Sequence, residues 1–271
     1  MADVSPIDTS LHSEKLPLEA VEYINRHYGD DPEQVMDIYL PRGRTADTTH
    51  IMVFIHGGGW LGSDKSDYTK DINSLKKINA SYAYVNINYR LVKDGANLFP
   101  TAEKDIQAAM EYVWKRVDSF HISPRTGIIG VSAGSHLAAL EAYKHNDSGY
   151  IKAITLFYGV YNMKEFYEQG SAGVPQLAVL VLGGTPQEKP EIYRSSSPLN
   201  YVTAASPATF LIHGTEDTLA RYHQSVALDS ALQKTGVAHE FLSFKGWHGV
   251  PAETIDEAAY RMFTFIAKYT K

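Results

Sequence analysis

The 271-residue sequence contains no cysteine. That excludes disulfides, thiolate metal sites and a cysteine nucleophile, and it leaves the compartment open, because oxidising and reducing locations both tolerate the absence. Basic charge is scarce as well. With 31 acidic against 25 basic residues the net charge is −6, and no Lys/Arg stripe overrides it, so no nucleic-acid partner is expected. No apolar run approaches the length of a membrane span, and the opening Met1-Ala2-Asp3-Val4-Ser5-Pro6 lacks the basic and apolar regions of a secretory signal. A cytoplasmic chain is the expectation on that basis, although a chain trimmed of its signal would read the same. No histidine pair has the H-E-x-x-H spacing of a zinc protease, and no metal is expected.

What is present suits one large α/β domain. Hydrophobic residues make up 44% and charged residues 21%, enough apolar material for a sizeable core, and no repeat, charge block or linker divides residues 1–271. Residues 1–35 are polar with scattered aromatics and no clear period, which suggests an arm packed over the domain. Apolar runs then recur at 35–40, 51–55, 82–88, 128–131, 151–157, 208–212 and 240–244, several of them continuous, as in strands covered on both faces. Helical spacing separates them, with Ile106, Met110, Val113, Trp114 and Val117 marking one buried face and Ile255, Ala259, Met262, Phe263 and Ile266 another. Alternation of strands and helices predicts a mostly parallel sheet. Between 158 and 200 the pattern breaks into aromatics and Gly/Ser/Pro clusters, a candidate lid or wall of an acyl pocket.

The chain is organised around Ile128-Ile129-Gly130-Val131-Ser132-Ala133-Gly134-Ser135. A β-branched run enters Gly130 and an Ala/Leu-rich run leaves Ser135, so Ser132 is expected on a sharp corner between strand and helix. Gly130 and Gly134 flank it at the G-x-S-x-G spacing, where side chains would strike neighbouring backbone. The helix that follows offers unpaired N–H groups beside Ser132, which favour developing negative charge.

A serine nucleophile needs a base, a carboxylate that orients the base, and donors for an oxyanion. Each has a candidate at a strand end. Asp217, in His213-Gly214-Thr215-Glu216-Asp217, follows the penultimate strand, with Glu216 as its competitor, and His248 in Gly246-Trp247-His248-Gly249 follows the last. The order serine, acid, histidine is that of α/β-hydrolases. His56-Gly57-Gly58-Gly59 follows the strand at 51–55; successive glycines let backbone approach a ligand, so Gly58 and Gly59 are assigned with Ala133 as donors. Gly57 is read as shaping the turn, and His56 as fixing the loop through its ring. Trp60, Tyr158, Tyr161 and Leu219 directly follow motifs at the expected rim; they are candidate substrate-pocket residues, with core packing as the alternative. His136 and His213 are read as structural.

Taken together, His56-Gly57-Gly58-Gly59-Trp60, Asn88-Tyr89-Arg90-Leu91, Phe99-Pro100, Gly130-Val131-Ser132-Ala133-Gly134, Ser197-Pro198-Leu199, His213-Gly214-Thr215-Glu216-Asp217 and Trp247-His248-Gly249 resemble the HGGG-bearing esterase/lipase group of the α/β-hydrolase superfamily. The resemblance runs from about residue 35 to 270. It implies an α/β-hydrolase fold, a mostly parallel central sheet of about eight strands flanked by helices with a small lid insertion, and hydrolysis of carboxylic esters of small acyl groups through an acyl-serine, without a cofactor. A small-molecule ester is the expected partner. Arg90 and Asp105 resemble positions that form an internal ion pair in this group, with solvated side chains as the alternative. The short N-terminal segment departs from the large-capped members and argues against long-chain lipids. Two other readings stay open: an amidase such as a formamidase with the same triad, and a hydrolase-like binding protein without catalysis. The latter would have no use for serine, acid, histidine and oxyanion glycines together.

Overall fold

The computed structural model describes residues 17–271. Eight strands, β1 (Val21–His27), β2 (Val35–Leu40), β3 (Ile51–Ile55), β4 (Ala83–Ile87), β5 (Thr126–Val131), β6 (Ile151–Phe157), β7 (Ala208–Gly214) and β8 (His239–Phe244), form one sheet in the order β1-β2-β4-β3-β5-β6-β7-β8. β2 runs antiparallel to both of its neighbours, and every pairing from β4 onward is parallel. Strand order and direction are those of the α/β-hydrolase fold.

Nine helices are described: α1 (Thr69–Ile78), α2 (Thr101–Trp114), α3 (Val117–Phe120), α4 (Ala133–Lys144), α5 (Met163–Gln169), α6 (Val174–Leu182), α7 (Pro190–Ser195), α8 (His223–Thr235) and α9 (Ala252–Thr270). None is long and apolar enough to cross a membrane. Alternation along β3 divides the core. Ile51, Val53 and Ile55 pack with α2, α4 and α8, while Met52 and Phe54 pack with Ile72 and Leu75 of α1 and with Met262 and Phe265 of α9. Burial of each such side chain contributes roughly 1.5–3 kcal/mol, so both faces must stay covered.

Two expected apolar faces shift in detail. On α9 the buried stripe is Ala258, Met262, Phe265 and Ile266, and Ile255 is exposed one turn earlier. On α2, Ile106, Met110 and Val113 are buried as the spacing predicts, whereas Trp114 and Val117 lie half-buried at its end.

Residues 1–16 lie outside the described residues, but the rest of the expected arm is corrected: 21–27 form the edge strand β1. β1 escapes a periodicity search because most of its side chains are exposed and its register is broken by a bulge between Tyr23 and Arg26. Asn25 sits there at φ 54°, its N–H donating to Asp37 Oδ1 at 2.8 Å. The segment 158–200 carries the short helices α5, α6 and α7, with a 3₁₀ turn at Pro198–Tyr201. It closes over α4, whose residues 133–142 are buried on every side.

Arg90 and Asp105 form the ion pair. Arg90 Nη2 donates to Asp105 Oδ1 at 2.7 Å and Nε to Oδ2 at 2.9 Å, and the Arg90 N–H also reaches Oδ2 at 2.9 Å. Gln34 Nε2 completes the shell of this fully buried carboxylate at 2.7 Å, fastening β2 and the loop after β4 to α2.

Glu141 of α4 contrasts with Asp105. Its carboxyl is buried with Oε2 lacking a hydrogen-bond partner, and burial, reinforced by Glu103 and Glu111, pushes its pKa from 4.5 up to about 8. Between those values the unfolded chain is ionised at this position and the folded chain holds the proton, so stability falls as pH rises and levels off above the folded value. The slope is about 1.4 kcal/mol per pH unit. Glu141→Gln removes it: urea unfolding at pH 5 and pH 8 is expected to show the variant gaining on the wild-type chain by a few kcal/mol at the higher pH, on the order of the integrated slope. An advantage independent of pH would contradict the assignment.

Candidate active site

The corner after β5 is as sharp as the sequence requires. Ser132 has φ 54° and ψ −117°, a strained conformation for a residue with a side chain, and α4 begins at the next residue. Its N–H donates to Phe157 O of β6 at 2.9 Å, while Ser135 N–H donates to Ser132 O at 2.9 Å. A Cβ on Gly130 would strike the Gly134 carbonyl, and one on Gly134 would strike the carbonyls of Ile55 and His56. These two absences let α4 start directly against the end of β3. The nucleophile corner and the His56-Gly57-Gly58-Gly59 loop therefore share one edge of the sheet.

Ser132 Oγ lies 2.8 Å from His248 Nε2, and His248 Nδ1 lies 2.6 Å from Asp217 Oδ2. Four donors hold Asp217. Its Oδ1 accepts from the N–H groups of Leu219 and Ala220 at 2.8 and 3.1 Å, and Oδ2 accepts from His248 and from His213 Nε2 at 3.1 Å. Burial alone would raise the Asp217 carboxyl, but the hydrogen bonds from His213 and His248 outweigh it and bring its pKa down to about 2. Asp217 is thus an ionised, acceptor-only partner that fixes the Nδ1–H tautomer of His248 and leaves Nε2 free to accept the Ser132 proton. Glu216, its competitor in the sequence, instead faces Lys245 at 3.7 Å on the surface.

His213 is the structural histidine that the sequence predicts, and it also donates to Asp217. Fully buried, it places Nε2 between Asp217 Oδ2 and Ala220 O, at 3.1 and 2.8 Å, so that nitrogen carries the proton; Nδ1 pairs with Ser225 Oγ at 2.7 Å. Its position at the last turn of β7, four residues before the acid, was the available signal.

Gly58 and Gly59 adopt φ of +96° and +61°. A Cβ on Gly58 would overlap the Gly62 carbonyl, and the positive φ is one that residues with a side chain rarely adopt. Among the described residues, the N–H groups of Gly58, Gly59 and Ala133 have no hydrogen-bond acceptor; Ala133 directly follows Ser132, and Gly57 brings the glycine loop against the Ser132 side chain. His56 secures the loop. Its buried ring stacks on Tyr89 at 4.4 Å with Nδ1 2.9 Å from Gly57 O, and Tyr89 Oη donates to the carbonyls of His56 and Gly57 at 3.0 Å each. Burial lowers the His56 pKa, which keeps the ring neutral. Gly57 packs on the nucleophile strand, a Cβ there falling 2.9 Å from Val131 O.

The four expected pocket residues separate into two pairs. Tyr158, at φ 38°, sets its ring edge-on to His248 with centroids 4.7 Å apart, and Leu219 is exposed beside Asp217. Trp60 and Tyr161 are corrected to core residues. Trp60 is turned inward at φ 61°, its Nε1 donating to His136 Nδ1 at 3.3 Å and its ring edge-on to His136 and Phe166. Tyr161 is fully buried and its N–H donates to Gln224 Oε1 at 2.8 Å. In their place the insertion contributes Leu177 of α6, whose side chain would lie 3.7 Å from a Cβ on Gly59. Tyr68 lies on the opposite side, with a backbone hydrogen bond at Gly57 opposing the rise that burial imposes on its phenol. Neither was legible, since both belong to segments without a motif. Among the described residues no group of three or more His, Asp or Glu is placed to hold a metal ion.

Comparison with known proteins places this geometry. The BD-FAE family model matches residues 36–232. Esterase LipQ of Mycobacterium tuberculosis is 27% identical over 221 residues, covering 76% of this chain and 51% of LipQ, so the chain spans about half the length of that relative. Among solved structures, a bifunctional GH43-CE of Bacteroides eggerthii superposes with a TM-score of 0.78 at 23% identity, over 91% of this chain and 38% of that one. A truncated carbohydrate esterase from gut microbiota superposes with a TM-score of 0.75 at 22% identity, over 91% of this chain and 96% of that one. At these identities the two structures establish the shared fold.

The contacts of Ser132, His248 and Asp217 make the serine reactivity testable without a substrate. Asp217→Asn leaves the fold cooperative but loses the acceptor that fixes the His248 tautomer. Labelling of Ser132 by a fluorophosphonate, followed by intact mass, is expected to slow by about 10³–10⁴-fold. Labelling at the wild-type rate would detach Asp217 from the site.

Proposed function

The chain belongs to the BD-FAE family, and from that membership and the geometry at Ser132 we propose that it is a serine carboxylesterase that removes small acyl groups, acetyl above all, from carbohydrate esters. The observation that carries the reading is the unbroken run of contacts from Asp217 through His248 to Ser132 Oγ, 2.6 and 2.8 Å; the backbone N–H groups of Gly58, Gly59 and Ala133, free of acceptors among the described residues, support it. LipQ is an esterase, and the gut-microbiota structure is a carbohydrate esterase. Those names support the substrate class.

In the first half-reaction Ser132 Oγ attacks the ester carbonyl carbon as its proton passes to His248 Nε2. The carbonyl π pair moves to oxygen, where the N–H groups of Gly58, Gly59 and Ala133 stabilise the charge. Collapse breaks the bond to the alcohol oxygen, which leaves with the proton from His248 Nε2. Water then attacks the acyl-serine, gives a proton to the same nitrogen, and the acid departs as Ser132 recovers that proton. Asp217, ionised throughout, balances the imidazolium in both halves. Leu177 of α6, standing over Gly59, supports a preference for small acyl groups.

An amidase of formyl substrates uses the same machinery. Matched formyl-amide and acetyl-ester assays separate the two, and the proposal requires the ester to be preferred. For 4-nitrophenyl esters, activity is expected to fall from acetyl to butyryl to octanoyl, and Ser132→Ala to lose at least about 10³-fold in kcat with unchanged thermal unfolding. Turnover that survives this substitution, or a preference for octanoyl, would defeat the reading.

A further inference from the structure

Of the three tryptophans, Trp60 is buried, Trp114 is half-buried with Nε1 bonded to Thr126, and Trp247 is 67% exposed one residue before His248. An exposed indole by itself is unremarked surface. Trp247 differs in its surroundings. It lies in an open groove of about 400 Å³ lined by Glu216, Lys245, Gly246, Gly249 and Pro251, with His248 as the shared wall.

The backbone beneath the indole is fixed. Gly246 O accepts from the Glu216 N–H at 2.9 Å, Trp247 O accepts from the Gly249 N–H at 2.9 Å, and both carbonyls press so closely on Gly214 that a Cβ there would overlap them. The loop after β8, its backbone braced on Gly214 at the end of β7, thus presents a flat apolar surface with little backbone ordering left to lose on binding. Around its edge stand the charged groups of Lys245 and Glu216, 3.7 Å apart and both solvent-accessible. A pyranose ring has the matching form, one face of C–H groups and a rim of hydroxyls. An aryl alcohol would use the indole and leave the charged rim idle.

We propose that Trp247 is the stacking platform of a sugar subsite for the alcohol part of the substrate, with Glu216 and Lys245 binding ring hydroxyls. This rests on the carbohydrate-ester reading above and adds the residues that select the sugar.

Two measurements test it. In the Ser132→Ala variant, iodide quenching of tryptophan fluorescence reports mainly Trp247, since Trp60 is buried and Trp114 half-buried; the variant that also carries Trp247→Ala gives the Trp114 background to subtract. Acetylated xylotriose or acetylated cellobiose is expected to lower the quenching constant at least twofold and to shift emission to the blue. In the otherwise unaltered enzyme, Trp247→Ala is expected to raise KM for the sugar acetate at least tenfold, so that the ratio of kcat/KM on sugar acetate to that on ethyl acetate falls at least tenfold. Trp247→Phe should restore most of that ratio. A chain that hydrolyses the sugar acetate with neither quenching protection nor a changed ratio overturns the platform and leaves the substrate reading intact. A chain that cleaves ethyl acetate but neither sugar acetate overturns the substrate reading, and the quenching titration then decides the platform by itself.

Discussion

The start of α4 rests on the last carbonyls of β3, and that contact sets the geometry of everything around Ser132. It exists because Gly134 carries no side chain, so the helix approaches Ile55 and His56 more closely than any Cβ would permit. Gly130 allows the same approach from the strand side. Once the helix sits there, the chain between must turn within Ser132 itself, at φ 54°, and its hydroxyl projects over the sheet edge. The neighbouring strand then delivers its own glycine loop to the same edge. Strain at one residue is compensated by packing along α4, which is buried from 133 to 142.

Charge in the site is governed by a single carboxylate. Asp217 gathers two backbone N–H groups and two imidazoles, so it remains ionised although its side chain is removed from water. The two imidazoles differ in what they do. His213 is locked among Asp217, Ala220 and Ser225 with no open valence, whereas His248 has only Asp217 and Ser132 as partners. His213 therefore disperses part of the carboxylate charge while His248 is left to move protons. The acid tolerates burial because its donors replace water, in the same way that Arg90 and Gln34 replace it around Asp105. Glu141 lacks such donors at Oε2 and responds by holding its proton instead.

Legibility from sequence followed the physics of each element. Buried parallel strands read as continuous apolar runs, because both faces are covered, and β3, β5, β6 and β7 stand out for that reason. β1 is covered only at Val21 and Tyr23, too short an alternation to stand out. It is an edge strand held by pairing to β2 and interrupted at Asn25, and backbone hydrogen bonds leave no signature in side-chain polarity. Ser132, Asp217, His248 and the glycines were legible because their chemistry demands those residue types at strand ends. Trp60 and Tyr161 show the limit of that argument. Adjacency to a motif fixes where the backbone runs, not the direction of the side chain, and φ 61° at Trp60 turns the indole into the core toward His136. Leu177 approaches Gly59 only through the packing of α6, a relation no local pattern encodes.

The two sides of Ser132 are consequently built to different standards of closure. On one side α5, α6 and α7 pack into the same apolar cluster as Trp60, Tyr161 and α4, so the space beside Ser132 there is bounded by a continuous core. Enlarging it would require removing buried side chains at roughly 2–5 kcal/mol each. On the other side the loop bearing His248 rests on backbone contacts with β7 and exposes its side chains to water. Exchanging Trp247, Lys245 or Glu216 disturbs no core, since surface substitutions of this kind cost about 0.5 kcal/mol or less. The side packed by α5, α6 and α7 is thus constrained by stability, and the side bearing Trp247 is the one that the fold leaves free to vary.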